Sequence, residues 1–168
     1  MSGRHILALA ILTLAANTSL ADGPTIRKEL VVNAPIADVW HAWTTDEGAR
    51  TFFSESTNID LRPGGPYEIF FSLDAPEGER GCEGCRVLAF DPPRMISFTW
   101  NAPPKFPELR RHQTRVTVRL SPEGEGKTRV LFVHEGFGES ETWLEVRDYF
   151  VVAWGEHVLP RFVKSFGD

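Results

Sequence analysis

Two histidines on neighbouring strands are the side chains of this sequence best suited to acid/base chemistry. Side chains alternate between the faces of a strand, so the apolar pattern places His112 and Thr114 on the inner face of one strand and His134 on the inner face of the next. If the hairpin closes with Leu120 near Thr128, His134 lies opposite Thr114 and diagonal to His112. The pair then forms either a polar anchor for a ligand or an acid/base pair that titrates near neutral pH. The simpler interpretation, which we favour, is that both histidines bond to backbone or water at strand ends.

Cys82 and Cys85 are the second reactive pair, separated by Glu83 and Gly84 after a turn-rich segment. In an oxidising compartment this spacing permits a small structural disulfide, and two idle thiols are the other simple interpretation. A redox-active pair usually stands at the N-terminus of a helix, whereas a strand follows here. A metal site needs two further ligands of suitable spacing, and one such pair alone is weak evidence. We therefore treat the pair as a disulfide candidate and predict no metal site and no cofactor.

The first 21 residues follow the pattern of a signal peptide, with Arg4 ahead of an apolar run from Ile6 to Ala16. Ser19-Leu20-Ala21 supplies small residues at the two positions that a signal peptidase reads. The run of about 11 residues reaches roughly 16 Å as a helix, too short for a hydrocarbon core of ~30 Å. An uncleaved anchor and a buried first helix are the alternatives. We predict a signal peptide at residues 1–21 and one domain at residues 22–168. The protein is then exported, periplasmic or secreted, and has no stable membrane anchor.

The composition narrows the range of partners. The formal net charge is −5 and no basic patch interleaves with aromatic residues, which argues against nucleic acid as a partner. Twelve phenylalanines and five tryptophans are many for a chain of 168 residues. They either fill a core or line a cavity that is too wide for aliphatic side chains to close.

Hydrophobic periodicity predicts a strand, two short helices, six antiparallel strands and one long helix, in that order. A Pro92-Pro93 corner separates two of the strands. The last helix begins near Ser140, a good N-cap, and runs towards Phe166, with Pro160 expected to kink it. A sheet that buries one aromatic face curls around the one long helix available, which predicts an α+β helix-grip fold. The predicted strands span residues 25–32, 57–61, 67–73, 85–90, 96–100, 112–120 and 128–135, and the short helices residues 35–43 and 46–53.

Five groups of residues, in this order, resemble one family: Asn33-Ala34-Pro35 with Val39-Trp40, Leu61 to Tyr67, Gly84 to Trp100, Thr128 to His134, and Trp154 to Phe162. The chain resembles the START-like (SRPBCC) superfamily, which shares the grip fold of the birch-pollen allergen and polyketide cyclases. Within it, the likeness is to the homologues of the activator of heat-shock protein 90 ATPase (AHSA-type). The resemblance implies the fold but no activity, because this fold hosts carriers, cyclases, hydrolases and co-chaperones. A signal peptide is foreign to a cytosolic co-chaperone, so that role is not transferred.

We predict an exported protein that binds a small hydrophobic or amphipathic molecule between the curled sheet and the last helix. An enzyme of the cyclase or hydrolase type in the same cavity is one alternative, and a co-chaperone-like interaction module is another. The sequence names no protein partner, and no catalytic residue is assigned. The predicted ligand-binding residues are Tyr67, Phe71, Phe98, Trp100, His112, Thr114, Phe132, His134, Phe150 and Trp154.

Overall fold

The computed structural model describes residues 23–167, and its elements follow the predicted order apart from one unpredicted short helix between the fifth and sixth strands. The predicted signal peptide lies outside the described residues, as do Asp22 and Asp168 at the ends of the predicted domain. No helix within residues 23–167 combines the length and the apolar character needed to cross a membrane. The strands and helices are β1 (Ile26–Val32), α1 (Ile36–Thr44), α2 (Asp46–Arg50), β2 (Ser56–Ile59), β3 (Tyr67–Phe70), β4 (Val87–Asp91), β5 (Met95–Trp100), α3 (Pro107–Arg110), β6 (Thr114–Pro122), β7 (Thr128–Glu135), α4 (Glu141–Val152), a π-helical segment (Ala153–Val158) and α5 (Leu159–Lys164).

Five strands form the main antiparallel sheet in the order β1-β7-β6-β5-β4, and β2 and β3 form a separate hairpin. Isolated bridges from Pro66 to Arg86 and from Phe70 to Gly81 join this hairpin to the chain that leads into β4. The sheet packs one apolar face against the helices, which confirms the predicted α+β helix-grip fold. The inward side chains of β6 and β7 are those that alternation predicts: Val116, Val118, Leu120, Val130, Phe132 and His134 are all buried.

The predicted register of the β6–β7 hairpin is wrong by two residues. His134 stands opposite Val116, whereas the sequence placed it opposite Thr114. The backbone N–H of Glu123 bonds to the carbonyl of Lys127 at 2.9 Å, and β6 runs to Pro122, two residues past the predicted end of the strand at Leu120. The inner face is unchanged, because a shift of two residues keeps every side chain on its side of the sheet.

The second strand of the β2–β3 hairpin is shorter than predicted. β3 ends at Phe70, so Phe71 and Leu73, which belong to the predicted strand, lie beyond it and are 51% and 62% exposed. The backbone N–H of Phe71 bonds to the Arg80 carbonyl at 2.7 Å, in a loop that leaves the sheet at this point. Phe71 therefore stands at the surface rather than in the core.

Aromatic rings fill most of the space between the sheet and the helices. Trp43 packs against Phe52 and Phe53, with ring centroids 5.0 and 5.6 Å apart. Phe132 of β7 lies 4.7 Å from Trp154 of the π-helical segment. Aromatic pairs at such separations stabilise the fold beyond the burial of their area. Much of the aromatic content of this chain therefore builds the core.

The C-terminal helix begins as predicted, because the Ser140 side chain accepts a hydrogen bond from the Trp143 N–H at 3.3 Å. The interruption expected at Pro160 takes the form of the π-helical segment, which ends two residues before the proline. Here the N–H of Leu159 bonds to the carbonyl of Trp154, five residues back. Proline has no N–H and its ring collides with the carbonyl four residues back, so a wider turn accommodates it.

Candidate ligand-binding site

A cavity of about 430 Å³ lies beside the π-helical segment, at one end of the core. The C-terminal helix forms one side of it, from Tyr149 to Arg161. Two loops, around residues 71–82 and 100–104, form the other side together with Arg110 of α3. The volume lies within the range of about 300–1,000 Å³ that is usual for small-molecule sites.

The wall of this cavity is mainly apolar. Trp100 and Trp154 are buried with ring centroids 5.0 Å apart, so they form its floor. Phe71 and Tyr149 are 51% and 42% exposed, so they mark the side that is open to solvent. The apolar residues of the wall are Phe71, Trp100, Ala102, Pro103, Pro104, Tyr149, Phe150, Ala153, Trp154 and Val158. Four of them were predicted ligand-binding residues: Phe71, Trp100, Phe150 and Trp154.

A disulfide between Cys82 and Cys85 braces the loop on one side of the cavity. Both cysteines are buried, and Cys82 borders the cavity. Gly81 lets this loop lie against β3, because its φ is +150° and a Cβ here would stand 2.1 Å from the carbonyl oxygen of Ile69. The N–H of Cys82 bonds to that same carbonyl at 2.8 Å. Backbone contacts and the disulfide together hold this part of the wall.

Arg110 ties the two loops to each other. Its Nε donates to the carbonyl of Gly78 and its Nη2 to the carbonyl of Gly81, both at 2.6 Å. Its Nη1 donates to the carbonyl of Ala102 and to the side-chain oxygen of Asn101. One guanidinium therefore fixes the distance between the loop that carries the disulfide and the loop that follows β5.

Charged side chains also border the cavity, namely those of Arg80, Arg110, Arg161 and Glu79, together with the imidazole of His157. Arg80 is paired, because its Nη2 lies 2.7 Å from the carboxylate of Glu83. Burial opposes ionisation of Glu83, but hydrogen bonds from the backbone and guanidinium of Arg80 outweigh it and lower the pKa of Glu83. Burial lowers the pKa of Arg110, and the charges of Glu83 and Glu79 oppose that shift. Over residues 23–167, no group of three His, Cys, Asp or Glu side chains is placed to hold a metal ion.

His134 lies in the core and is not part of the cavity wall. Its Nδ1 accepts a hydrogen bond from Trp154 Nε1–H at 3.0 Å, so its proton is on Nε2, which donates to Thr114 Oγ1 at 2.7 Å. The Thr114 hydroxyl in turn donates to the carbonyl of Trp100 at 2.9 Å. Burial lowers the pKa of His134 to about 3, so the ring is neutral at pH 7. Both ring nitrogens are engaged in holding the cavity floor in place.

The other predicted site residues also lie away from the cavity wall. His112 precedes β6, is exposed and stands edge-on to Trp143 with ring centroids 6.4 Å apart. Tyr67 stacks on Phe98 at 3.8 Å and donates its hydroxyl to a backbone carbonyl at 2.9 Å, and burial raises the pKa of Tyr67 well above its ordinary value. Phe132 is covered by Trp154 in the core. The acid/base pair of two histidines is therefore not assembled, because the ring nitrogens of His134 already have other partners.

Arg110, Tyr149 and Arg161 are among the residues of the wall that sequence reasoning missed. Arg161 follows Trp154 by seven residues, a spacing that puts two residues on one face of a regular α-helix, so the sequence pattern could have indicated its place. No local pattern indicates Arg110, whose bonds reach back 29 residues to Gly81 and 32 residues to Gly78.

The family profile described as "Activator of Hsp90 ATPase homolog 1-like protein" matches residues 33–165 of this sequence. The chain belongs to this family. The match confirms the resemblance to the AHSA-type group within the START-like superfamily that the motifs indicate. None of the curated proteins matches the chain.

Solved structures of the same fold agree with this assignment. A protein from Mesorhizobium loti is 22% identical with a TM-score of 0.61, over 84% of this chain and 93% of that one. An HSP90 activator from Plasmodium falciparum is 17% identical with a TM-score of 0.61, over 82% and 92% of the two chains. The Aha1 dimer from Colwellia psychrerythraea is 18% identical with a TM-score of 0.56, over 84% and 95%. At these identities the likeness establishes the fold alone.

Proposed function

We propose that this member of the family is an exported protein that binds one small hydrophobic or amphipathic molecule in the cavity beside the π-helical segment. The observation that carries the proposal is an apolar cavity of about 430 Å³ next to a core that is otherwise filled with aromatic side chains. Burial of apolar ligand surface contributes about 25 cal/mol per Å², so a wall of this kind supplies affinity without a specific polar match. The family supports the proposal, since proteins of this fold often bind hydrophobic ligands.

Filling the cavity is expected to weaken the binding of a neutral apolar dye at least about tenfold, because the ring removes the dye's contacts with the wall. Ala153 lies on the wall, so Ala153→Phe directs a phenyl ring towards the cavity. The measurement is a fluorescence titration with N-phenyl-1-naphthylamine. The control is Val152→Phe, which adds a ring at the adjacent position, where the side chain is 44% exposed and is not part of the wall. Circular dichroism checks that both variants fold, and equal binding by Ala153→Phe and the parent protein contradicts the proposal.

Export predicts a defined intact mass for the protein recovered from cells. Cleavage after Ala21 removes the signal peptide, so the chain is expected to begin at Asp22. An oxidising compartment preserves the Cys82–Cys85 disulfide, so the mass is also expected to be about two hydrogens below that of the dithiol. Mass spectrometry of the denatured, unreduced protein measures both features. A full-length mass that includes Met1 opposes the export component of the proposal.

Two alternatives receive less support. The names of two structural relatives, an HSP90 activator and an Aha1 dimer, favour a co-chaperone-like interaction module. An exported protein meets neither that chaperone nor ATP, so this role and export exclude one another. A cyclase or hydrolase needs a proton-transferring group within reach of the ligand. His134 is buried, neutral and doubly hydrogen-bonded, so it is not suited to that role.

A further inference from the structure

We propose that the ligand carries one anionic group, a carboxylate or a sulfonate, which Arg161 binds at the opening of the cavity. This inference rests on the proposed function, because it specifies the chemical class of the molecule that occupies the same cavity. It follows from the way in which charge is distributed over the apolar wall.

Arg161 and Trp154, one of the two floor residues of the cavity, belong to one continuous helix. Trp154 and Val158 border the cavity from the π-helical segment, and Arg161 borders it from α5. The Arg161 side chain is exposed, and across residues 23–167 no carboxylate forms an ion pair with it. A molecule that packs its apolar body against Trp154 therefore meets an unoccupied guanidinium where the wall becomes accessible to water.

Arg110 adds positive charge without being neutralised by direct contact. Its hydrogen bonds go to backbone carbonyls and to the Asn101 amide oxygen, none of which carries a formal charge. Arg80 differs, because it is paired with Glu83. Glu79 is the one acidic residue among the wall residues of the described chain. Among the described residues, two guanidinium groups without a bonded carboxylate thus outweigh one carboxylate around the cavity.

The sign of this local charge opposes that of the whole protein. The chain has a formal net charge of −5, so its long-range field attracts cations and repels anions. Selective binding of an anion here must therefore come from direct contact. A guanidinium matches the two oxygens of a carboxylate or sulfonate with two parallel N–H bonds, whereas an alcohol or amine gains no such contact.

A pair of dyes tests the inference. 1-Anilinonaphthalene-8-sulfonate and N-phenyl-1-naphthylamine share one aromatic body, and only the first carries a sulfonate. We expect the purified protein to bind the sulfonate dye about tenfold more tightly, because a charge-assisted contact adds to the same apolar burial. In Arg161→Gln the affinity for the sulfonate dye is expected to fall about tenfold, and the affinity for the neutral dye to stay unchanged.

The matched control is Lys164→Gln, which removes the same charge from α5 at a residue that is not part of the wall. It is expected to leave both affinities unchanged. Arg161→Lys is expected to retain part of the preference for the sulfonate dye, since lysine keeps the charge but lacks the two parallel N–H donors of the guanidinium.

Two outcomes overturn the inference and leave the proposed function intact. In the first, the two dyes bind equally and Arg161→Gln alters neither affinity. In the second, Lys164→Gln lowers the affinity for the sulfonate dye as much as Arg161→Gln does, so that net charge rather than direct contact sets the preference for the sulfonate dye. If neither dye binds, or if Ala153→Phe binds the neutral dye as tightly as the parent protein does, the proposed function is contradicted and the inference with it.

Discussion

Replacing His134 by alanine is expected to lower the free energy of unfolding by roughly 3 kcal/mol. The change deletes a fully buried ring, leaves Trp154 Nε1–H without its acceptor and removes the partner of the Thr114 hydroxyl. A buried N–H without a partner costs about 1–3 kcal/mol, and the space left by the ring adds to this. Urea unfolding at neutral pH measures the effect.

The control for this substitution is His112→Ala, which removes an exposed histidine and is expected to change stability by less than about 0.5 kcal/mol. Binding of the neutral dye supplies a second readout, because His134 holds Trp154 and, through Thr114, the backbone of Trp100. If His134→Ala unfolds at the same urea concentration as the parent protein, the hydrogen-bond network does not stabilise the fold.

The same residue is expected to make stability depend on pH. Burial holds the pKa of His134 in the folded protein at about 3, against an ordinary value of 6.5 in the unfolded chain. Between these values the unfolded state binds about one proton more than the folded state, so the free energy of unfolding decreases as the pH falls, by roughly 1 kcal/mol per pH unit. The contribution is complete above pH 6.5 and is lost progressively towards pH 3. His134→Gln removes it, so a shallower dependence between pH 7 and pH 5 in that variant measures the contribution.

Local periodicity predicted the inner face of the main sheet because it depends only on the alternation of side chains along one strand. The alternation of side chains is not sufficient to predict the register of the β6–β7 hairpin, because the register depends on where the chain reverses direction. The backbone hydrogen bond between Glu123 and Lys127 decides this point, whereas the predicted strand ended at Leu120, two residues before the end of β6. A shift of two residues keeps each side chain on its side of the sheet, so the sequence placed His134 on the correct face but opposite the wrong residue.

The candidate site was harder to predict because the same residue types build a core and a cavity wall. Phe132 and Trp100 both point inwards from strands, yet only Trp100 borders the cavity. The difference comes from other elements, because Trp43 and Trp154 cover Phe132 with ring centroids 6.3 and 4.7 Å away. The apolar pattern of a strand does not show which helical residues pack against it. The polar side of the cavity is even harder to predict from the sequence, because Arg110 donates its hydrogen bonds to backbone carbonyl groups, which every residue possesses.

Arg110→Gln is expected to lower the free energy of unfolding by roughly 2–4 kcal/mol and to weaken dye binding about tenfold. Arg110 bonds to the carbonyls of Gly78, Gly81 and Ala102, and glutamine is too short to reach all three. The loop that carries the disulfide then loses its tie to the loop after β5, so one side of the cavity wall moves away from the helix. Urea unfolding and titration with N-phenyl-1-naphthylamine measure the two effects. Arg111→Gln is the control, because this neighbouring arginine is exposed and its one ion pair within residues 23–167 is with Glu108, so it is expected to change neither.

Hydrogen exchange separates a loosened loop from a general loss of stability. Cys82 lies in the loop that Arg110 holds, and its amide bonds to the carbonyl of Ile69 in β3. The amides of β6 and β7, in contrast, lie in the centre of the main sheet. In Arg110→Gln the Cys82 amide is expected to exchange faster under conditions in which the central strands remain protected, because the loop opens without unfolding the sheet. Arg110→Lys retains a positive charge but replaces the fork by a single ammonium, so it is expected to show intermediate exchange and affinity. If Arg110→Gln accelerates exchange uniformly across the sheet and the loop, Arg110 stabilises the protein as a whole and does not set the position of the cavity wall.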